Sequence, residues 1–288
     1  MQIRAYKLPI ALKEDKIQPM LNILFLGEIV GRCGGNALRA GLGRIKTEYD
    51  IDYTIVNGEG MTNGYGIGKA HSVLLGKSGV DLVTGGEKLF YKPDMVEFMG
   101  HCSFVLRPLN YPPLCPGKSV KNVTLKDTQL LIINLQGNSS MRQSIQNAFV
   151  SIDGFLKKVE GDPVILVVYH ASTTAEKATM LHYLDGRVQG VICTHTKVLT
   201  SDETVTEKGT AFISDIGRIG SYMSVGGFDP ETEIKKYRYQ IPLRSREAWL
   251  DPRIQGVVVS IDETTKKAVS IKVIDEKVNV VKPQEKDS

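Results

Sequence analysis

The chain has 288 residues, 42% hydrophobic and 24% charged, which is enough apolar material for one large core or two small ones and excludes a disordered chain except at its ends. Its 36 basic and 32 acidic residues give a formal charge of +4 and are scattered, which excludes the clustered basic face of a dedicated DNA-binding surface and leaves a small anionic ligand compatible. No apolar run approaches the roughly 18 to 20 residues that span a bilayer, so no membrane segment is expected.

Taken in chain order, residues 1–20 alternate charged and apolar positions (Arg4, Lys7, Lys13, Glu14) without the continuous apolar stretch of a secretion signal. They read as an N-terminal extension of a cytoplasmic protein. Buried strands are predicted at Asn22 to Leu26, Tyr53 to Val56, Asp81 to Thr84, Leu130 to Asn134, Val164 to Tyr169 and Val188 to Thr194. Helical spacing falls between them, at Asn36 to Tyr49, Lys69 to Ser78, Pro93 to Gly100, Gln143 to Val159 and Thr174 to Tyr183. This alternation defines an α/β protein.

Two hairpins are added to the alternation, Val120 to Leu125 with Gln129 to Asn134 about a Lys-Asp turn, and Ile254 to Ile261 with Ala268 to Ile274. They predict two packed sheets with some antiparallel pairing. No linker or internal repeat divides the chain, so a single domain is expected over 21–275, followed by a polar tail over 276–288. The four cysteines, Cys33, Cys102, Cys115 and Cys193, show no CxxC pairing and read as reduced thiols. The glycine-rich stretch GEIVGRCGG (27–35) invites comparison with a dinucleotide-binding turn, but the GxGxxG spacing is missing.

Chemistry concentrates where strands give way to loops: GEIVG (27–31), NGEG (57–60), TGGEK (84–88), YHAS (169–172) and CTHTK (193–197). In open α/β sheets, ligands bind beyond the carboxyl ends of the strands, so these ends can serve one site. They supply Glu28, Glu59, Glu87, His170 and His195, oxygen and nitrogen donors suited to manganese, iron or zinc.

This ordered series resembles the YmdB-type bacterial branch of the calcineurin-like metallophosphoesterases, a family associated with 2′,3′-cyclic-nucleotide phosphodiesterase activity. The resemblance runs from about Asn22 to Ile274 and includes RPLNYPP (107–113), INLQG (133–137), YLDGRVQGVICTHT (183–196) and GTAFISDIG (209–217). It implies the family fold, two packed mixed sheets flanked by helices in an α/β/β/α order, and a two-metal site.

Carried over residue by residue, the resemblance also implies changes. The family's first metal-binding aspartate is Glu28 here, and its bridging glutamate is Glu59. An asparagine ligand has become Gly60. The family's GNH reads Gly86-Glu87-Lys88, so a carboxylate replaces an asparagine ligand and Lys88 stands in the place of the catalytic histidine. His170 and His195 remain, while the last histidine is Lys197.

Alternation along an extended segment places Lys197 beside His195, pointing toward the first metal position. A protonated lysine has no lone pair for a metal, so that position is expected to be empty. The second position keeps Glu59, His170 and His195, with Glu87 able to join them. One divalent ion is expected there, or none.

The expected function is a degenerate metallophosphoesterase-fold protein, weak or inactive as a phosphodiesterase, that retains a cleft for a small phosphate ester or nucleotide and has a binding or regulatory role. Lys88, in place of the family histidine, stands at the catalytic position and Lys197 at a substrate-binding one. The alternatives are a divergent phosphodiesterase working with a single metal and a non-catalytic scaffold. A homo-oligomer is expected in each case.

Overall fold

Strand β1 (Met20–Ile29) shows why two sheets form, because it is apolar on both faces. Leu21, Ile23 and Phe25 point one way and Leu24 and Leu26 the other, since successive side chains of a strand alternate. A strand buried on both faces needs a cover on each side. The first set packs on a second sheet, against Leu130, Ile132, Val164 and Leu166, while the second packs beneath helices with Leu38, Leu42 and Ile45. Each side chain buried this fully contributes roughly 1.5–3 kcal/mol relative to exposure. The computed structural model describes residues 19–139 and 144–283.

After β1 come α1 (Gly31–Glu48), β2 (Tyr53–Asn57), α2 (Lys69–Lys77), β3 (Leu82–Thr84), α3 (Pro93–Met99) and β4 (Val105–Leu106). Next are β5 (Val120–Leu125), β6 (Thr128–Gln136), α4 (Ala148–Leu156), β7 (Val164–His170), α5 (Thr174–Leu184), β8 (Gly190–Thr194), β9 (Thr204–Val205) and β10 (Ala211–Ile213). The last are β11 (Arg218–Ser221), α6 (Pro230–Tyr239), β12 (Pro252–Asp262) and β13 (Lys267–Lys277). One sheet is ordered β13-β12-β11-β1-β2-β3-β4 and the other β5-β6-β7-β8-β10-β9. Both mix parallel and antiparallel pairs. Helices α1 to α3 cover the first sheet, α4 and α5 the second, giving the expected α/β/β/α layers.

Several elements differ from the sequence reading. Helix α1 begins at Gly31, five residues before the predicted start, because its glycines carry no apolar periodicity. A Cβ at Gly34 would stand 2.9 Å from Ile29 Cγ2 and press on the Ile219 carbonyl, so glycine here lets the helix lie close on β1 and β11. Helix α4 starts at Ala148, where Asn147 caps it by accepting from Phe149 N and Val150 N; the predicted start at Gln143 lies outside the described residues, as do 1–18 of the N-terminal extension and 284–288 of the tail.

Strand β13 runs through Lys277, two residues past the expected domain limit, and Glu276 there pairs with Arg44 at 2.7 Å. Helix α6 carried no prediction, since Glu233 is its only buried residue and it has no apolar stripe to read. Its stability comes from its ends: Asp229 accepts from Thr232 N at 2.9 Å, Glu231 and Glu233 occupy the first turn, and Lys236 and Arg238 the last.

Candidate metal centre

Parallel pairing of β1, β2 and β3 in one sheet and of β7 and β8 in the other sends their carboxyl ends to a common crest. Glu28 stands at the end of β1, Glu59 follows β2, Glu87 and Lys88 follow β3, His170 closes β7, and His195 and Lys197 follow β8. All seven residues named from the sequence therefore face one region.

The second position is the more completely assembled. His170 is 1% exposed, and its Nε2 lies 2.8 Å from Glu59 Oε2 and 2.8 Å from Glu87 Oε2. His195 Nδ1 stands 3.1 Å from the same nitrogen, with the two rings set edge to face. Donor atoms of Glu87, His170 and His195 all lie within 4.8 Å of one another, and Glu59 Oε2 is buried without a directed hydrogen bond. Two carboxylates and two imidazoles with an unsatisfied oxygen fit one divalent ion such as manganese, iron or zinc.

The protonation of this cluster reflects its charges. Burial lowers His170, but Glu59 and Glu87 outweigh it and hold the imidazolium up to about 10. Glu59 and Glu87 are both pulled below the carboxylate range, against burial, by the same imidazolium and by Lys88. His195 is pushed down to about 4 by burial and by the His170 charge, so the ring is neutral near pH 7 and one of its nitrogens has a lone pair to offer. Burial opposes the Lys88 charge, yet Glu59, Glu28 and Glu87 raise it above its ordinary value. An ammonium held this firmly suits a fixed positive charge and is a poor proton donor near neutrality.

The first position is built differently. Lys197 Nζ lies 3.0 Å from Glu28 Oε1, and the Glu28 carboxylate is almost wholly buried. The contact is an ion pair off the hydrogen-bonding direction, and Glu28 Oε2 has no hydrogen bond among the described residues. Burial raises the Glu28 carboxyl, with Lys197 and then Lys88 opposing it. The segment carrying Lys197 is a loop rather than an extended run, with φ of 115° at His195 and 63° at Lys197. The ammonium still reaches the expected region, by a different backbone path.

Gly60 explains how the longer acid fits. A Cβ at this position would stand 2.5 Å from Glu28 Oε1 and 2.7 Å from the Ile29 carbonyl, so Glu28 fills space that a side chain at 60 would need. With Glu28 paired to an ammonium, no side chain at 60 and a lysine where the resemblance places the last histidine, the residues here do not fit a second metal. Gly60→Asn alone is expected to cost about 1–3 kcal/mol by overpacking. Adding Glu28→Asp should recover part of that loss, a positive coupling readable by urea unfolding of both single variants and the double.

Motifs outside the donor set hold it in place. Asn57, within NGEG, accepts the Glu59 N–H at 2.9 Å and lies 3.3 Å from His170 Nδ1, which also contacts Thr194 Oγ1 at 2.8 Å. Asn134 donates to the carbonyls of Gly85 (2.7 Å) and Leu106 (3.0 Å), fixing the loop before Glu87. Tyr111 donates to Gly86 O, and Asn110 ties RPLNYPP to INLQG through Gln136. Orienting partners of this kind typically change metal affinity about 10- to 100-fold when lost.

The His195 loop is restrained from beneath. Asp215 accepts Thr196 N at 2.8 Å and Gly217 N at 3.0 Å, and pairs with the buried Lys177 at 3.0 Å. Arg218 spends its guanidinium on the carbonyls of Lys197, Ser221 and Tyr222, so it braces the loop. Sequence reasoning placed Asn57, Thr194 and Asp215 inside quoted motifs without giving them roles. Lys177 offered no signal, since a lysine on a predicted helix reads as solvated.

Two facing mixed sheets with helices outside and metal-type donors at the crest define a metallophosphoesterase fold. The YmdB-like protein family model matches residues 24–274, and the chain belongs to that family. It is 35% identical over 254 residues to the 2′,3′-cyclic-nucleotide 2′-phosphodiesterase of Bacillus subtilis (strain 168), covering 87% of this chain and 95% of the relative. A solved structure described as a novel phosphatase from Mycoplasma pneumoniae superposes with a TM-score of 0.85 at 28% identity, covering 91% of this chain and 95% of that one. A 5′-nucleotidase precursor from Thermus thermophilus shares the fold at 13% identity and a TM-score of 0.55, covering 89% of this chain and 54% of that one. The family is one of phosphodiesterases and phosphatases. No helix among the described residues is long and apolar enough to cross a membrane.

Proposed function

We propose that this chain is a degenerate member of its family, which binds a nucleotide or small phosphate ester in the cleft and has a binding or regulatory role. The observation that carries the reading is the Lys197–Glu28 pair at 3.0 Å, which puts an ammonium where the resemblance places a metal. Glu59, Glu87, His170 and His195 would hold a single ion. When bound, that ion supplies Lewis-acid charge to a phosphoryl oxygen and activates water. Lys88 and Lys197 would draw a phosphate toward the crest, and neither replaces the histidine that donates a proton to the leaving group. Turnover without that acid is expected to be about 10²–10⁴-fold below a histidine-equipped relative. A cytoplasmic homo-oligomer belongs to the same proposal.

A second reading, a divergent phosphodiesterase working with one metal, is favoured by the convergence of four donors at the second position. Calorimetric titration with manganese and with 2′,3′-cyclic AMP, followed by a turnover assay, separates the two. Slow or absent hydrolysis with saturable nucleotide binding supports the first reading, and turnover at the rate of the Bacillus relative overturns it. Manganese affinity should rise by up to about tenfold per pH unit between pH 6 and 8. The ion must displace the proton that Glu59 and Glu87 hold on His170, whereas His195 is already neutral there.

A further inference from the structure

A cavity of 810 Å³ opens beside the crest, on the side of α1 and α6, and the site described above uses none of its residues. Its wall brings together parts of the chain far apart in sequence: Arg32 from the first turn of α1, Asn63 from the loop that follows Glu59, and Arg244, Arg246 and Trp249 from the segment after α6. Trp249 is the one tryptophan of the sequence and is half-buried there.

The cavity adjoins the first position through shared neighbours. Phe228 has Lys197 Nζ 5.5 Å from its ring centroid on one side, and on the other its backbone pairs with Glu247, a cavity residue. Glu247 in turn accepts Arg32 N at 3.1 Å. Phe228 thus stands between the first position and the cavity wall.

The charges in the wall have unequal freedom. Asp229 is committed to capping α6, and Glu247 to Arg32. Arg244 and Arg246 are both exposed, and neither has a salt bridge or side-chain hydrogen bond among the described residues. Glu231 and Lys282 also line the wall and Arg246 feels the Asp229 charge, so the cavity is of mixed sign, and Arg244 and Arg246 are the guanidinium groups that can turn to an anion. A guanidinium fork matches the geometry of a phosphodiester, and an indole face is a sequence-tolerant platform for a base. The volume falls within the usual range for ligand sites.

We propose that this cavity is a subsite for the nucleotide that precedes the terminal one, so that the preferred ligand is a short single-stranded oligonucleotide end. Trp249 stacks the penultimate base, while Arg244 and Arg246 hold the linking phosphate. This rests on the nucleotide reading of the crest and names the class of ligand it takes. It also accounts for a cationic cluster invisible in the composition, since the fold assembles it from separate segments.

The single tryptophan makes the test direct. Trp249 emission is followed while wild-type chain is titrated with 2′,3′-cyclic AMP and, separately, with a tetraadenylate ending in a 2′,3′-cyclic phosphate. The oligonucleotide should quench the emission and bind at least about tenfold more tightly, as one stacked base allows. Arg244→Ala/Arg246→Ala should remove that advantage and leave the affinity for 2′,3′-cyclic AMP unchanged. Both positions are exposed, so the fold should survive, which unfolding in urea checks. Equal affinity for the two ligands, or an advantage that persists in the double variant, overturns the subsite alone. Failure of both to bind overturns the nucleotide reading and the subsite with it.

Discussion

Lys197→Ala is expected to lower unfolding stability by about 3–5 kcal/mol, the usual cost of stripping one partner from a buried ion pair. The size of the effect follows from Glu28, which is 1% exposed and has no hydrogen bond to either oxygen among the described residues. With the ammonium gone, Lys88 and the His170 imidazolium are left to oppose the burial that already raises the Glu28 carboxyl, so that group is driven further toward taking up a proton in the folded chain. Because the folded value then lies above the unfolded 4.5, full stability is present below about pH 4.5. It is lost as the pH rises toward the folded value, at about 1.4 kcal/mol per unit. Glu28→Gln in the same chain should flatten this slope. Urea unfolding of the single and double variants between pH 4 and 8 checks both expectations. A Lys197→Ala protein with wild-type stability across that range would mean that the pair carries no charge-compensating role.

Lys177→Met should cost a similar amount, about 3–5 kcal/mol, and should also weaken manganese binding by about 10- to 100-fold. Lys177 and Asp215 are each almost fully buried and lie 3.0 Å apart, and Asp215 spends its remaining capacity on Thr196 N and Gly217 N. The backbone it grips includes His195 at φ 115°, a conformation that costs on the order of 1–3 kcal/mol and persists only where the surroundings impose it. Without the lysine, Asp215 must neutralise or move, and His195 loses its aim. Lys177→Arg should recover part of the metal affinity, which an effect on stability alone would not predict. Calorimetric titration with manganese at constant pH reads the difference.

The layers were legible because the strands declare themselves. β1, β6 and β7 are continuous apolar runs, and the hairpin partners follow turn residues such as Lys126, which takes φ 50°. Helix α6 was not legible, because end capping and charge stabilise it and leave no apolar stripe. The seven site residues could be named because each sits at the end of a strand or just beyond it. Their relations could not, since relations depend on volume: that Glu28 occupies the room left by Gly60 appears only in the fold, where a Cβ at 60 would stand 2.5 Å from Glu28 Oε1. Lys177 was hidden for the opposite reason. Nothing in a helix sequence distinguishes a solvated lysine from one whose partner, Asp215, arrives from a distant loop.

The departures that the resemblance implies also compensate for one another in the structure. Glu28 lengthens where Gly60 shortens, and Lys197 supplies the positive charge that the buried carboxylate requires. Lys88 does the same for Glu87, at 2.8 Å. Cations of the chain thus balance the carboxylates at the first position, while the second keeps two imidazoles and two carboxylates converging on a point. Counting the metal ions held per chain, by elemental analysis after saturation with manganese and gel filtration, tests this division most directly. The asymmetric site predicts one ion, lost in His170→Ala and kept in Lys197→Ala. Two ions per chain in the wild-type protein would contradict it.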